Sequence, residues 1–485
     1  MKINKIFITA IFGSALLVGS CSESRLDEMP IDQFPIETAI ISESTMRGVL
    51  NGVYDQYSTA SGFGTDIVAF GDLISDNVFI SAATSDVAYR TTGYWNWSAD
   101  ISDFNMLDEL YDGIVLANIV INNTSLPVTT TVNNYKGEAR IARALGYIYL
   151  VNFYSANPTS GQHQEYGVPL NLGEYDPNAT LPRASVAQVY DQIIDDLTTA
   201  LNIMTDESPY NNSKGYLTPT AARLLLSKVY LTRGQAGDYQ KSLDYANMVI
   251  NTGNAGGTFA FVDRTNYVTY FTSSDIGKSE NQPETVWEIN MNGTTGENPG
   301  INSSLASFYE NTGSKKRFLF TKSFYDSFPG TDIRKSLFTT AAAPAEDDPK
   351  GVWTKKYYRN TSEGPFAQNT KILRMSEAKF NRMEALAKLG NTADALIDLN
   401  AFATERGGTL YAEATIENIL TEKRKEFFAE GQRFFDLKRN NMGFARLTNC
   451  YSIICDVPAN HRLFVIPMPL REMNLNPNMT QFPGW

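Results

Sequence analysis

Charged side chains are densest between Thr421 and Arg439, where Glu430, Arg433, Asp436 and Arg439 follow one another at three-residue steps. Two carboxylates in such an arrangement could work as an acid/base pair. Alternating charges at helical spacing are more typical of a structural ion-pair network, and no nucleophile stands beside these. We therefore interpret this stretch, called the clamp below, as one helix that holds neighbouring elements together.

A glycine stands in the middle of the clamp, at Gly431. Glycine costs about 1 kcal/mol relative to alanine inside a helix, so its presence needs a reason. It predicts either close backbone packing or a break in the helix at this point.

Metal ligands and nucleophilic side chains are scarce. The only histidines are His163 and His461, and neither has the spacing of a zinc ligand. Cys450 and Cys455 could close a small disulfide loop or stay as two buried thiols, and the sequence leaves both open. The acidic triplet 346–348 lacks the alternating pattern of a calcium loop and is interpreted as a solvated turn. No metal, cofactor or catalytic residue is predicted.

The N-terminus has the pattern of a lipoprotein signal. Lys2 and Lys5 precede an apolar run over residues 6–18, and small residues lead to Cys21. The run is short for a membrane span. Cleavage before Cys21 would leave a lipidated cysteine, carrying acyl chains such as palmitate, that anchors an otherwise soluble chain.

Composition predicts one large, acidic domain. The 485 residues are 42% hydrophobic and 12% aromatic, and no low-complexity linker divides them. The net charge of −12 becomes −14 once cleavage removes Lys2 and Lys5, which argues against a nucleic-acid partner.

Apolar residues at helical spacing predict a mainly α fold built from four helical hairpins. A capping box at Ser185–Gln188 and the pair Thr218–Pro219 mark two helix starts. The predicted pairs are 42–57 with 107–122, 138–154 with 185–204, 219–233 with 238–250, and 373–389 with 392–404. This pattern resembles tetratricopeptide hairpins forming a superhelical scaffold.

Two segments interrupt the helices. Residues 71–104 form a long polar and aromatic excursion, and loops of that length in an ordered chain are usually functional. Residues 254–370 are rich in Gly, Ser, Thr, Asn and aromatics, with a strand-like stretch at 284–289. The predicted organisation is a signal peptide (1–20), a lipidated tether (21–35), helical hairpins with the ligand loop 71–104 (36–253), an irregular insertion (254–370) and a last hairpin with the clamp and C-terminal segment (371–485).

Four patches in order resemble the SusD/RagB family of outer-membrane nutrient-binding lipoproteins, and the likeness covers essentially the whole chain. The patches are Cys21 with Leu26-Asp27-Glu28-Met29-Pro30; Pro182-Arg183-Ala184-Ser185 through Leu197, with 217–222; Leu373 through Ala378, with 384–386 and the clamp; and Ile466-Pro467 through Pro483-Gly484-Trp485.

The resemblance implies a cell-surface lipoprotein that captures an oligomeric nutrient, usually a glycan, and passes it to a SusC-like TonB-dependent transporter without covalent chemistry. It also implies that the early excursion carries ligand-binding aromatics. Peptide binding, as in RagB-like relatives, is the closest alternative. A lipid-anchored glycoside hydrolase and a scaffold that binds only proteins are the others.

A sugar site needs a flat aromatic face with polar groups at its edge. In an extended segment Trp95 and Trp97 would point to one side, about 7 Å apart. We expect these two to bind ligand together with their neighbours Asp76, Asn77, Tyr89, Arg90 and Tyr94. From the insertion we expect Tyr309 and Trp353 to contribute, with Tyr357 and Tyr358 as further candidates. The alternative for each aromatic is core packing, which we expect for Trp287. Trp485 is expected to be structural and to close the C-terminal patch.

Overall fold

The computed structural model describes residues 39–84, 88–100, 103–176, 178–205, 213–294, 296–309, 311 and 315–485. The predicted signal peptide, Cys21 and the tether to residue 35 therefore lie outside the described residues. Within them, no helix combines the length and the apolar character needed to cross a membrane.

The N-terminal half is a layer of packed helices. These are α1 (Glu43–Ser58), α2 (Asp66–Leu73), α3 (Arg90–Gly93), α4 (Met106–Asn122), α5 (Thr130–Tyr154), α6 (Val186–Ile203), α7 (Pro219–Arg233) and α8 (Asp238–Ala255). The predicted pairs α1 with α4, α5 with α6 and α7 with α8 pack against each other. The mainly α fold is thus confirmed, while the likeness to tetratricopeptide repeats stays an interpretation.

Helix starts follow the local sequence signals. Ser185 and Gln188 form the predicted capping box of α6, and Thr218 caps α7 ahead of Pro219. The predicted start of α5 at residue 138 was eight residues late. The Thr129 hydroxyl accepts a hydrogen bond from the Val132 amide at 3.1 Å, so a polar stretch without apolar periodicity forms the first turns.

The insertion is short helices and two-stranded sheets. Its helices are α9 (Tyr267–Thr272), α10 (Ile276–Ser279), α11 (Gly300–Ser303), α12 (Leu305–Tyr309) and α13 (Lys322–Asp326), with a 3₁₀ turn at Ile333–Leu337. Its strands are β2 (Thr285–Ile289), β3 (Phe318–Phe320), β4 (Phe338–Thr339), β5 (Trp353–Thr354) and β6 (Thr370–Arg374), and β3 pairs with β1 (Val78–Ile80) of the early excursion. The antiparallel pairs are β1–β3, β2–β6 and β4–β5. As predicted, Trp287 is a core residue on β2.

The C-terminal part contains α14 (Ser376–Lys388), α15 (Thr392–Arg406), α16 (Ile416–Glu426), α17 (Arg433–Arg439) and α18 (Leu470–Leu475), with the hairpin β7 (Phe444–Ala445) and β8 (Asp456–Val457). The last predicted pair is present as α14 and α15. Its predicted start at residue 373 was wrong, because the chain there is still strand β6, paired with β2. The apolar residues of β6 continue the helical spacing of α14, so the predicted helix began too early.

The clamp is two helices, and the prediction of one helix was wrong. Helix α16 ends at Glu426 and α17 begins at Arg433, with Gly431 at φ +70° in the turn between them. A Cβ on Gly431 would lie 2.6 Å from the carbonyl oxygen of Val68, and one on Gly71 would collide with the Gly431 backbone. Both explanations offered for Gly431 therefore apply: it breaks the helix and allows the turn to approach α2 directly.

Clamp carboxylates are buried and paired. Glu426 faces three guanidiniums, those of Arg334, Arg374 and Arg406, at 3.1–3.7 Å. Glu430 pairs at 2.7 Å with both Arg374 and Lys356. These contacts connect α16 and the turn after it to the insertion, β6 and α15, as expected of a structural network.

We expect Glu430→Ala to lower the free energy of unfolding by about 3 kcal/mol, because it leaves two buried cations short of a partner. Arg433→Ala should also destabilise the fold, because Asp76 loses one of its two guanidiniums. Chemical denaturation measures both. Lys322→Ala is the control: its pair with Asp326 is exposed and worth less than about 1 kcal/mol. A clamp variant of normal stability that has lost ligand binding would contradict the structural assignment.

Acid should weaken the clamp through Asp436. Burial alone would raise the pKa of Asp436, but Lys423 and Arg439 lower it to about 2. Because the folded-state pKa lies below the unfolded value of about 4, this carboxylate stabilises the fold above about pH 4 and stops doing so as the pH falls toward 2. Asp436→Asn should therefore cost about 2 kcal/mol at neutral pH, and the gap to the parent should narrow below pH 4. Urea unfolding at stepped pH checks this; a constant gap would contradict it.

Candidate functional site

The predicted polar rim residues Asp76 and Asn77 belong to the clamp contact. Asp76 pairs with Arg433 at 2.8 Å and Arg424 at 3.0 Å. Burial would raise the pKa of Asp76, but these two guanidiniums hold it well below its usual range. Asn77 is buried and accepts from Arg424 at 2.6 Å while donating to Asp72. Both side chains are committed to structural contacts.

The two predicted stacking residues are in the core. Trp95 and Trp97 are each 4% exposed. The indole of Trp95 donates to the Leu73 carbonyl at 3.0 Å, and its φ of +54° shows that the segment is not extended. Trp97 packs edge-on against Phe104 at 5.4 Å. The expected pair of flat surfaces on one side of an extended segment is therefore absent, because the backbone turns at Trp95 and both rings pack in the core.

Four of the remaining candidates form two pairs, one buried and one half-buried. Tyr309 and Trp353 are fully buried, so their rings are also unable to stack on a ligand here. Tyr89 is half-buried and donates to Asp66 at 2.5 Å, and Arg90 donates to the Thr84 carbonyl at 2.6 Å. Contact of a ligand with Arg90 or Tyr89 stays a prediction.

Of the predicted ligand-binding residues, Tyr94 is one that lies at the surface next to another aromatic ring. Its half-buried ring lies 5.8 Å from that of Tyr451, which is also half-buried. Three segments meet around this pair: residues 88–97, 340–351 and 446–455. We call their common face the three-loop surface.

Asp347 joins two of these loops. One of its carboxylate oxygens accepts from the Tyr451 hydroxyl at 2.8 Å and from the Ala82 amide at 3.3 Å. Burial and the bond to Asp347 raise the pKa of Tyr451 to about 12, so the phenol stays a neutral donor. The expected solvated turn holds for Glu346 and Asp348, which are exposed, but was wrong for Asp347, which is buried because it bonds these partners.

Arg446 anchors the loop that carries Tyr451. Its buried guanidinium lies 4.2 Å from the Trp95 ring centre and donates to four backbone carbonyls, those of Leu73, Ser75, Val78 and Gly93, at 2.7–3.2 Å. Burial lowers the pKa of Arg446 to about 9. Trp95 therefore acts on the three-loop surface from beneath, by holding the arginine that positions the loop.

A disulfide between Cys450 and Cys455 closes the same loop, which resolves the alternative left open by the sequence. The loop presents apolar side chains to solvent: Leu447 is 91% exposed and Ile453 is 95% exposed. Leu447 precedes the disulfide-closed ring and Ile453 lies inside it, so the segment that carries Tyr451 has exposed apolar side chains on both sides of this tyrosine in sequence.

Sequence reasoning missed Tyr451, Asp347 and Arg446. The cysteine spacing was a usable signal, since Tyr451 lies inside the loop that it closes. Asp347 and Arg446 gave no signal, because their roles depend on contacts with residues 104 to 373 positions away. Among the described residues, no group of three or more His, Cys, Asp and Glu side chains is arranged to hold a metal ion.

Family comparisons match both ends of the chain. A model described as "Starch-binding associating with outer membrane" matches residues 26–231, and a model described as "SusD family" matches residues 335–485. A SusD-like protein from Bacteroides ovatus is 22% identical over 482 residues, covering 89% of this chain and 81% of the relative.

Solved structures share the fold. A SusD superfamily protein from Bacteroides vulgatus superposes with a TM-score of 0.81 at 25% identity, covering 92% of this chain and all of that one. Surface glycan-binding protein A from Bacteroides fluxus has a TM-score of 0.71 at 21% identity, with 92% and 100% coverage. The second likeness concerns the fold alone.

Replacing both Cys450 and Cys455 by serine should loosen the loop without unfolding the protein. Closing a six-residue loop is worth about 2 kcal/mol in the chain-entropy estimate. We expect faster amide hydrogen exchange over residues 446–457 and unchanged exchange in α5 and α7. Equal exchange in the loop with and without the disulfide would show that Arg446 and Asp347 alone hold it.

Proposed function

The chain belongs to the SusD family, and from that premise we propose that it is a cell-surface lipoprotein that binds an oligo- or polysaccharide and delivers it to a SusC-like TonB-dependent transporter. The family binds carbohydrate and associates with the outer membrane. A structural relative is named as a surface glycan-binding protein. We propose that this chain likewise works by binding alone.

One observation carries the choice of site. The ring centres of Tyr94 and Tyr451 lie 5.8 Å apart, both rings are part-exposed, and Arg446 and Asp347 hold the loops that carry them. Aromatic rings supply the apolar face that sugar rings stack on, and tyrosine also brings a hydroxyl. Asn96, exposed beside Tyr94, offers an amide for sugar hydroxyls. This surface provides the combination that the sequence first suggested for the tryptophans.

Anchoring supports the same proposal. A lipid on Cys21 would tether the domain to the outer membrane, and the acidic start Ser22-Glu23 resembles a surface-export signal. The disulfide fits an oxidising compartment outside the cytoplasm. In the proposed arrangement the domain stands over its transporter and holds the nutrient at the barrel entrance.

Peptide binding is the second candidate, and one observation favours it. The exposed side chains of Leu447 and Ile453 flank Tyr451, and apolar side chains suit peptide side chains better than sugar hydroxyls. Binding measurements with glycan arrays and peptide pools distinguish the two candidates.

We expect Tyr94→Ala and Tyr451→Ala each to weaken glycan affinity about tenfold, which corresponds to about 1.4 kcal/mol for one lost stacking face. Isothermal titration with the best ligand from the array measures the change. Tyr175→Ala is the matched control, because Tyr175 is 49% exposed on the connection between α5 and α6. Unchanged affinity in both site variants would place the glycan elsewhere, and retention of peptides alone would favour the second candidate.

A further inference from the structure

A cavity separate from the three-loop surface lies where residues 156–163 meet the C-terminal segment. It encloses about 150 Å³ and is lined by both histidines of the chain, His163 and His461. The cavity-lining residues are distinct from those of the three-loop surface, and none of the expected ligand residues is among them.

Two basic side chains besides the histidines line this cavity. Lys438 is buried, and its ammonium donates to the carbonyls of Asn152 and Ser155 at 2.5 and 2.6 Å. Arg462 also lines it and lies 4.1 Å from the ring centre of Trp485. Burial without a carboxylate partner lowers the pKa of Lys438 to about 7.

The residues that line the cavity include no acidic side chain, and all of them belong to the described part of the chain. In a chain with a net charge of −12, a cavity lined by a lysine and an arginine but no carboxylate is a local reversal of charge. Such a lining favours an anion.

The cavity also has groups that a simple inorganic anion would not use. Asn157 is buried, and its Oδ1 has no hydrogen-bond partner among the described residues, so it needs a donor such as a hydroxyl. Gln162 and Asn460 add amides, and the ring of Phe482 lies 5.1 Å from that of His163. The Nδ1 of His461 accepts from the Leu463 amide at 3.3 Å, which leaves the Nε2 proton for a ligand.

We infer that this cavity binds a single sugar unit bearing a carboxylate, of the uronic acid class. Arg462 and the protonated form of Lys438 would bind the carboxylate, while Asn157 and the other amides would bind the hydroxyls. This site goes beyond the proposed glycan surface, and its ligand is small enough to test by itself.

The test is titration of the mature chain with free glucuronate, with glucose, acetate and inorganic phosphate as comparison ligands. We expect glucuronate to bind more tightly than all three. Gln162→Glu places a carboxylate in the cavity with an isosteric, exposed side chain, and it should weaken glucuronate binding at least tenfold. The double variant His163→Asn, His461→Asn should do the same; asparagine tolerates the positive φ of residue 163 and can accept from the Leu463 amide.

Each outcome separates this proposal from the glycan surface. Neutral-glycan affinity should be unchanged in Gln162→Glu, and glucuronate affinity should be unchanged in Tyr451→Ala. Equal glucuronate affinity in the parent and Gln162→Glu overturns the inference. Acetate or phosphate binding as tightly as glucuronate also overturns it, since the cavity would then hold a bare anion.

Discussion

Burying most of a carboxylate requires an opposite charge, and the pairing of Asp76 with Arg424 and Arg433 meets that requirement where the clamp contacts the early excursion. Asp76 follows α2, while the two arginines come from the clamp, 348 and 357 residues later. The contact closes only because Gly71 and Gly431 allow the two backbones to touch. The early excursion, the insertion and the C-terminal segment all pack around this contact. The contact therefore helps to fix the loops of the three-loop surface.

Local rules explain why most helices could be predicted and why some boundaries could not. Caps such as Ser185 and Thr218 accept hydrogen bonds from amides three residues later, so the sequence around each cap is enough to predict where the helix begins. The start of β6 depends on pairing with β2, about 85 residues earlier, and no local pattern reports that. The clamp break at Gly431 was suggested by the residue itself, but its cause is α2, which is remote in sequence.

The candidate site was less predictable, because composition cannot say which face of a ring is covered. Trp95 and Trp97 have the spacing of a sugar platform, yet core burial is the larger favourable term for a tryptophan. Tyr94 lies in the same stretch and stays part-exposed only because the turn at Trp95 redirects the chain. Its partner Tyr451 lies in the disulfide loop. The cysteine spacing shows where this loop is along the chain but not which part of the fold it contacts.

Arg446 connects these observations. Its guanidinium donates to four carbonyls and stacks on Trp95, so it holds Gly93 by the backbone and Trp95 by the ring, on either side of Tyr94. Fixing these segments before a ligand arrives reduces the ordering cost of binding. In the proposed site Trp95 is therefore a buried support and not a ligand platform, because rings that are held in place before binding lose less conformational entropy when the ligand arrives.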